Sequence, residues 1–313
     1  MTNMKVKQTI ILAISFLSYF TVFPQDNNKY KLFEHAGYNF PYQLARPDKS
    51  WELPKALVEI SGLGFIDNSR LACVQDEKGN IYIFNLKTGI VESKIPFGDD
   101  GDYEDIVIIE HDAWVLKSNG TLYKVADYLN KAIPDVKKHA TVLSGKNDAE
   151  GLAYDHANKN LLIACKGYPF VDEEKANDVK AVYSFNLETK RMDLKPFLLI
   201  ETDTIKYYKN YNTMTRLGIE LLAAIDPSEG DVTFQPSGIA IQPVTGNIFI
   251  LGSVGNLLMV LSGRGEILAM ITLSPKIFPK PEGICFSTDG KLFIANEGDG
   301  KAGTILKFEP KTK

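Results

Sequence analysis

Asp148-Ala-Glu-Gly-Leu152, followed by Leu161-Leu-Ile-Ala-Cys165 and then by Ala181-Val-Tyr-Ser-Phe185, sets the plan of the chain. A polar turn ends in a small or acidic residue, a short apolar strand follows, and two more strands come after further turns. The opening step recurs at Glu59-Ile-Ser-Gly-Leu63, Asp102-Tyr-Glu-Asp-Ile106, Gln235-Pro-Ser-Gly-Ile239 and Lys280-Pro-Glu-Gly-Ile284. Second strands stand at matching places: Leu71-Ala-Cys-Val-Gln75, Ala113-Trp-Val-Leu-Lys117, Ile248-Phe-Ile-Leu-Gly252 and Leu292-Phe-Ile-Ala-Asn296. Turns such as Lys87-Thr-Gly89, Thr245-Gly-Asn247 and Thr288-Asp-Gly290 divide the strands. Repeats of this length, each holding several short strands, predict an all-β fold, a β-propeller.

The repeat advances by 43, 46, 87 and 45 residues from Ser61. The long step leaves room for a sixth blade. Two inserts, near 168–180 and 201–233, account for it better, because 201–233 lacks strand alternation and carries a short helical stretch, Leu217 to Ile225. Five blades are therefore expected, with six as the alternative. The chain ends on a third strand, Gly303-Thr-Ile-Leu-Lys-Phe308. An N-terminal strand is expected to complete the last blade, since an open edge invites aggregation, and Asn39 to Ala45 is the expected donor.

The composition, 313 residues with 24 % charged and a net charge of −4, is that of a globular chain without the basic excess of a nucleic-acid binder. Lys5 and Lys7 precede an apolar run from Thr9 to Phe23, and Pro24-Gln25-Asp26 follows. That order reads as a signal peptide over 1–25, or as an uncleaved anchor associating the protein with the membrane. Residues 26–313 then form one propeller domain, exported to the periplasm or cell envelope and expected to be monomeric. Cys73, Cys165 and Cys285 each sit in an apolar strand and read as buried free thiols.

Chemistry concentrates at the repeated turn. Innermost strands of a propeller run beside a central channel, so Ser61, Glu104, Glu150, Ser237 and Glu282 are expected to point at one axial spot. Three carboxylates there repel one another unless a cation or a proton neutralises them. Hard oxygen donors suit Ca²⁺, or Mg²⁺ less well. Asp76, Glu77 and Glu297, at the ends of second strands, are expected on the rim as further metal ligands, with Ser61 and Ser237 lining the channel. The competing reading is a solvated ring with Lys117 and Lys166 as counter-charges. The four His (35, 111, 139 and 156) are scattered and none falls on the ring. Tyr207, Tyr208 and Tyr211, beside Lys206 and Lys209, form an aromatic-basic cluster read as packing within the insert.

Taken in order, Glu59 to Leu63, Val74 to Tyr82, Gly101 to Ile106, Glu150 to Leu152, Ser237 to Ile239, and Pro281 to Ile284 with Asn296-Glu297 resemble the SdiA-regulated family of exported bacterial proteins. The resemblance covers 55–310. It implies a five-bladed propeller distantly related to NHL-repeat propellers, a bound calcium ion at the matching Glu positions, and no established catalytic activity. Two function classes stay open: a calcium-binding scaffold or binding module for a protein or small-molecule ligand, with no catalytic residues, and a lactonase- or phytase-like hydrolase using the channel calcium.

Overall fold

The computed structural model describes residues 30–131, 133–172, 178–205 and 234–311. The expected signal peptide, the Tyr207–Tyr211 cluster and most of the second insert lie outside the described residues. Two short strands come first, β1 (Lys31–Glu34) and β2 (Lys49–Glu52). Blade one holds β3 (Ile60–Asp67), β4 (Arg70–Gln75), β5 (Asn80–Asn85) and β6 (Val91–Pro96). Blade two holds β7 (Tyr103–Ile109), β8 (Asp112–Lys117), β9 (Leu122–Ala126) and β10 (Asp135–His139). Blade three runs through β11 (Ala149–Asp155), β12 (Asn160–Cys165) and β13 (Val179–Asn186), with β14 (Arg191–Met192) and β15 (Leu198–Glu201) both pairing on β13. Blade four holds β16 (Gln235–Ile241), β17 (Ile248–Val254), β18 (Leu257–Leu261) and β19 (Ile267–Thr272). Blade five holds β20 (Pro281–Phe286), β21 (Leu292–Asn296) and β22 (Thr304–Phe308).

The inner strands β3, β7, β11, β16 and β20 contact one another in sequence, and β20 returns to β3. The ring therefore closes as a five-bladed propeller. Within each blade the strands alternate, one face toward the preceding blade and one toward the next. Ile106 and Ile108 of β7 pack back against Val74 and Ile83 of blade one, while Val107 packs forward against Leu152 and Ile163 of blade three. All three Cys are buried and free.

Closure uses a different segment from the expected one. The outer strand of blade five is β2, antiparallel to β22. Asn39 to Ala45 is instead a plug: Phe40, Tyr42 and Leu44 are buried with Phe249, Phe278 and Phe286 between blades four and five. The Tyr42 hydroxyl donates to the Gly290 carbonyl at 2.6 Å. Three large apolar side chains need more burial than an outer strand offers, and Pro41 has no N–H for a ladder. Lys49-Ser-Trp-Glu52 buries only Trp51 and keeps its charges in water, the pattern an edge strand needs. β1 extends blade four as a fifth strand on β19.

Trp51 also joins blade five to blade one. Its indole meets the Phe84 ring edge-on at 6.5 Å between centroids, and its Nε1–H donates to the Leu86 carbonyl at 3.0 Å. Replacing Trp51 by Ala is expected to cost about 3–5 kcal/mol and to lower the melting temperature, measured by circular dichroism.

Candidate functional site: the acidic channel mouth

Every inner strand carries an irregularity at the same place. The register shifts between Ile60 and Gly62, Tyr103 and Asp105, Ala149 and Gly151, Pro236 and Gly238, and Pro281 and Ile284. The residue inside each shift is the repeated Ser or Glu, joined in the fifth blade by Gly283. A bulge leaves one residue out of the ladder and re-aims its side chain, so local geometry and repeat position agree on these five residues.

The position after the bulge is Gly62, Asp105, Gly151, Gly238 and Gly283 in blades one to five. A Cβ at Gly62 would stand 2.5 Å from the Asp105 Cα, one at Gly151 2.8 Å from the Ile239 nitrogen, and one at Gly238 2.5 Å from the Glu282 carbonyl oxygen. The inner strands thus meet backbone to backbone and form a narrow waist. Beyond it, Phe65, Ile108, Tyr154, Ile241 and Phe286, again at one repeat position, line an apolar funnel of about 670 Å³.

At the other end the acids gather. Glu150 is 7 % exposed, and Lys166 Nζ lies 2.6 Å from its Oε1 and 3.8 Å from Asp148 Oδ2. Burial, then repulsion from Glu150 and Asp102, pushes Glu104 up to about 10. Burial and the Glu150 charge push Glu282 up to about 8, against the pull of Lys280 and Lys166. Burial also raises Glu150, opposed by Lys166. Burial works against the Lys166 ammonium, yet Glu150, Asp148 and Glu282 hold its pKa above the ordinary lysine value. The three predicted Glu therefore share one electrostatic site. Ser237 Oγ donates to the Pro281 carbonyl at 2.8 Å and ties blade four to blade five, while Ser61 Oγ lies 3.4 Å from the Glu59 carbonyl.

The rim residues divide. Asp76 is pushed up to about 6 by burial and by Glu59, Glu297, Glu77 and Asp102, and its buried Oδ1 has no hydrogen-bond partner. Glu297 is paired with Lys280 at 2.5 Å. Glu77 is exposed on the β4–β5 turn. Of the expected counter-charges, Lys166 reaches the ring, whereas Lys117 lies over the Tyr103 ring at 5.6 Å. Sequence reasoning passed over Glu59, Asp102, Asp148 and Lys280, which stand two residues before Ser61, Glu104, Glu150 and Glu282. That fixed offset was the available signal.

Among the described residues, no three His, Cys, Asp or Glu groups are gathered closely enough, as placed, to hold a metal ion. The donor chemistry nonetheless suits a hard cation: carboxylate oxygens in excess of their ammonium partners, and a buried Asp76 oxygen without a partner. Without one, a group such as Glu282 makes the fold pH-sensitive. Its folded pKa lies above the unfolded value, so its contribution is complete below about pH 4.5 and is lost as pH rises toward 8. In chelator, the melting temperature is expected to fall between pH 5 and 8, and to fall less in Glu282→Gln.

Solved structures are similar at the level of fold. Myxococcus xanthus glutaminyl cyclase aligns at a TM-score of 0.53 and 10 % identity, over 85 % of this chain and 96 % of that one. The PQQ-bound aldose sugar dehydrogenase of Streptomyces coelicolor aligns at 0.49 and 13 %, over 85 % and 98 %. A search of curated protein sequences found no match. The SdiA-regulated family matches over residues 41–300, nearly the whole ring, and the chain belongs to that family.

Proposed function

We propose that the protein is an exported binding module of the cell envelope whose acidic channel mouth takes up Ca²⁺. The observation that carries this reading is the crowding of Glu104, Glu150 and Glu282, two of them pushed far above the carboxylate range, with only Lys166 and, beside Glu282, Lys280 acting to offset their charge. Those three carboxylates, with Asp76, Glu297 and the nearby Glu77 in support, are the residues that would hold the ion, and the ion would supply the missing positive charge. Lys166 stands in for part of that charge. The apolar funnel on the opposite face has the volume of a small-molecule pocket and is where a ligand of the module would enter. Export rests on the basic, apolar and polar order of residues 5–26. Among the described residues no helix is long and apolar enough to cross a membrane.

The second reading is a calcium-dependent ester or lactone hydrolase. Glu282 favours it, because a carboxyl pushed up to about 8 is able to exchange a proton near neutral pH. Against it, a hydrolase needs a base beside an open metal position, and the acids available are the ones the ion would engage.

Chelator is expected to lower the melting temperature, and calcium at a hundredfold excess over Kd to restore roughly 2.7 kcal/mol. Lys166→Met is expected to melt lower than wild type in chelator and to bind calcium more tightly, read by calorimetric titration. A panel of lactones and phosphate esters, assayed with and without chelator, separates the two readings: calcium-dependent turnover establishes the hydrolase, and binding without turnover the module.

A further inference from the structure

The waist departs from its repeat at one residue. Four blades place Gly there and the second places Asp105, which is 1 % exposed. Its carboxyl lies where three blades meet. Oδ1 accepts the Ile106 N–H at 2.8 Å, Oδ2 accepts the Leu152 N–H of blade three at 2.7 Å, and the Leu63 N–H of blade one is also directed to it. These three amides are equivalent in the repeat, each directly following the waist position beside its bulge. A bulge removes backbone groups from the regular ladder, and N–H groups that converge in this way make a concavity for an anion. Burial pushes the Asp105 carboxyl well above the ordinary carboxylate range, and only hydrogen bonds to its oxygens pull it back. Here amides from three separate blades supply those bonds. The Gly62 side of the waist has no space left, since a Cβ there would lie 2.7 Å from Asp105 Oδ1.

We propose that the channel waist is a carboxylate-binding nest formed by the amides of Leu63, Ile106 and Leu152, and that Asp105 is its built-in occupant. The side chain bolts blades one, two and three together on the axis. This inference is independent of calcium.

The test removes the occupant and offers the same chemistry from solution. Asp105→Gly installs the residue that the other four blades carry, so steric conflict is not expected. The variant is expected to melt well below wild type in chloride. Formate should restore at least half of the lost melting temperature, with chloride at equal ionic strength as the control. Asp105→Asn fills the same volume but aims an N–H₂ group at N–H donors; it should also melt below wild type and gain nothing from formate. If Asp105→Gly does not fold in chloride, it is refolded in both salts, and monomer recovered only with formate supports the nest. An Asp105→Gly variant as stable as wild type, or one that responds alike to formate and chloride in melting or refolding, overturns it.

Discussion

The closeness of the five inner strands at the channel waist is the constraint on which the rest of the structure depends. A Cβ at Gly151, Gly238 or Gly283 would meet backbone atoms of the next blade at 2.5–3.1 Å, so at these junctions the ring closes because no side chain is present, and Asp105 of blade two is the one exception at this position. Bringing backbones this near leaves no volume for the preceding Ser or Glu within the ladder. Each inner strand answers with a bulge, and the bulge places Ser61, Glu104, Glu150, Ser237 and Glu282 at one mouth. Tight packing below and charge crowding above are two consequences of one geometric demand.

That crowding is uneven around the ring. At the repeated position, blades two and three bring neighbouring carboxylates, blade five a third, and blades one and four only hydroxyls. Residues two positions earlier sharpen the asymmetry: Asp102 and Asp148 add charge beside Glu104 and Glu150, whereas Lys280 offsets part of it beside Glu282. Lys166, held by Glu150 and Asp148, neutralises the deepest part of the site. The remaining surplus appears as raised carboxyl pKa values, which is how a buried site with too few cations resolves its charge.

Much of this was legible before any coordinates. The alternation of apolar residues and the Asp, Asn and Gly turns carried the blade plan, and the two inserts explained the long spacing without a sixth blade. The Ser and Glu positions were legible because a propeller places equivalent residues at equivalent distances from its axis. The closing strand was not: Asn39 to Ala45 has strand-like alternation, and its fate as a plug depends on the aromatic pocket that Phe249 and Phe286 make only in the folded ring. Lys166 and Lys117 occupy similar places in their repeats, yet only one turns to the mouth, because Tyr103 offers the other a ring face. The role of Asp105 was not read from the sequence, because two of its three amide partners, Leu63 and Leu152, lie 42 and 47 residues away in other blades.

The central claim, that waist geometry gathers Glu104, Glu150 and Glu282 into one cation site, is tested most directly by anomalous diffraction from crystals grown in calcium. The account predicts one axial peak at the acidic mouth, with these carboxylates as ligands and Lys166 turned away from Glu150. A map with no peak there, and Lys166 still seated on Glu150 at high calcium, would contradict it.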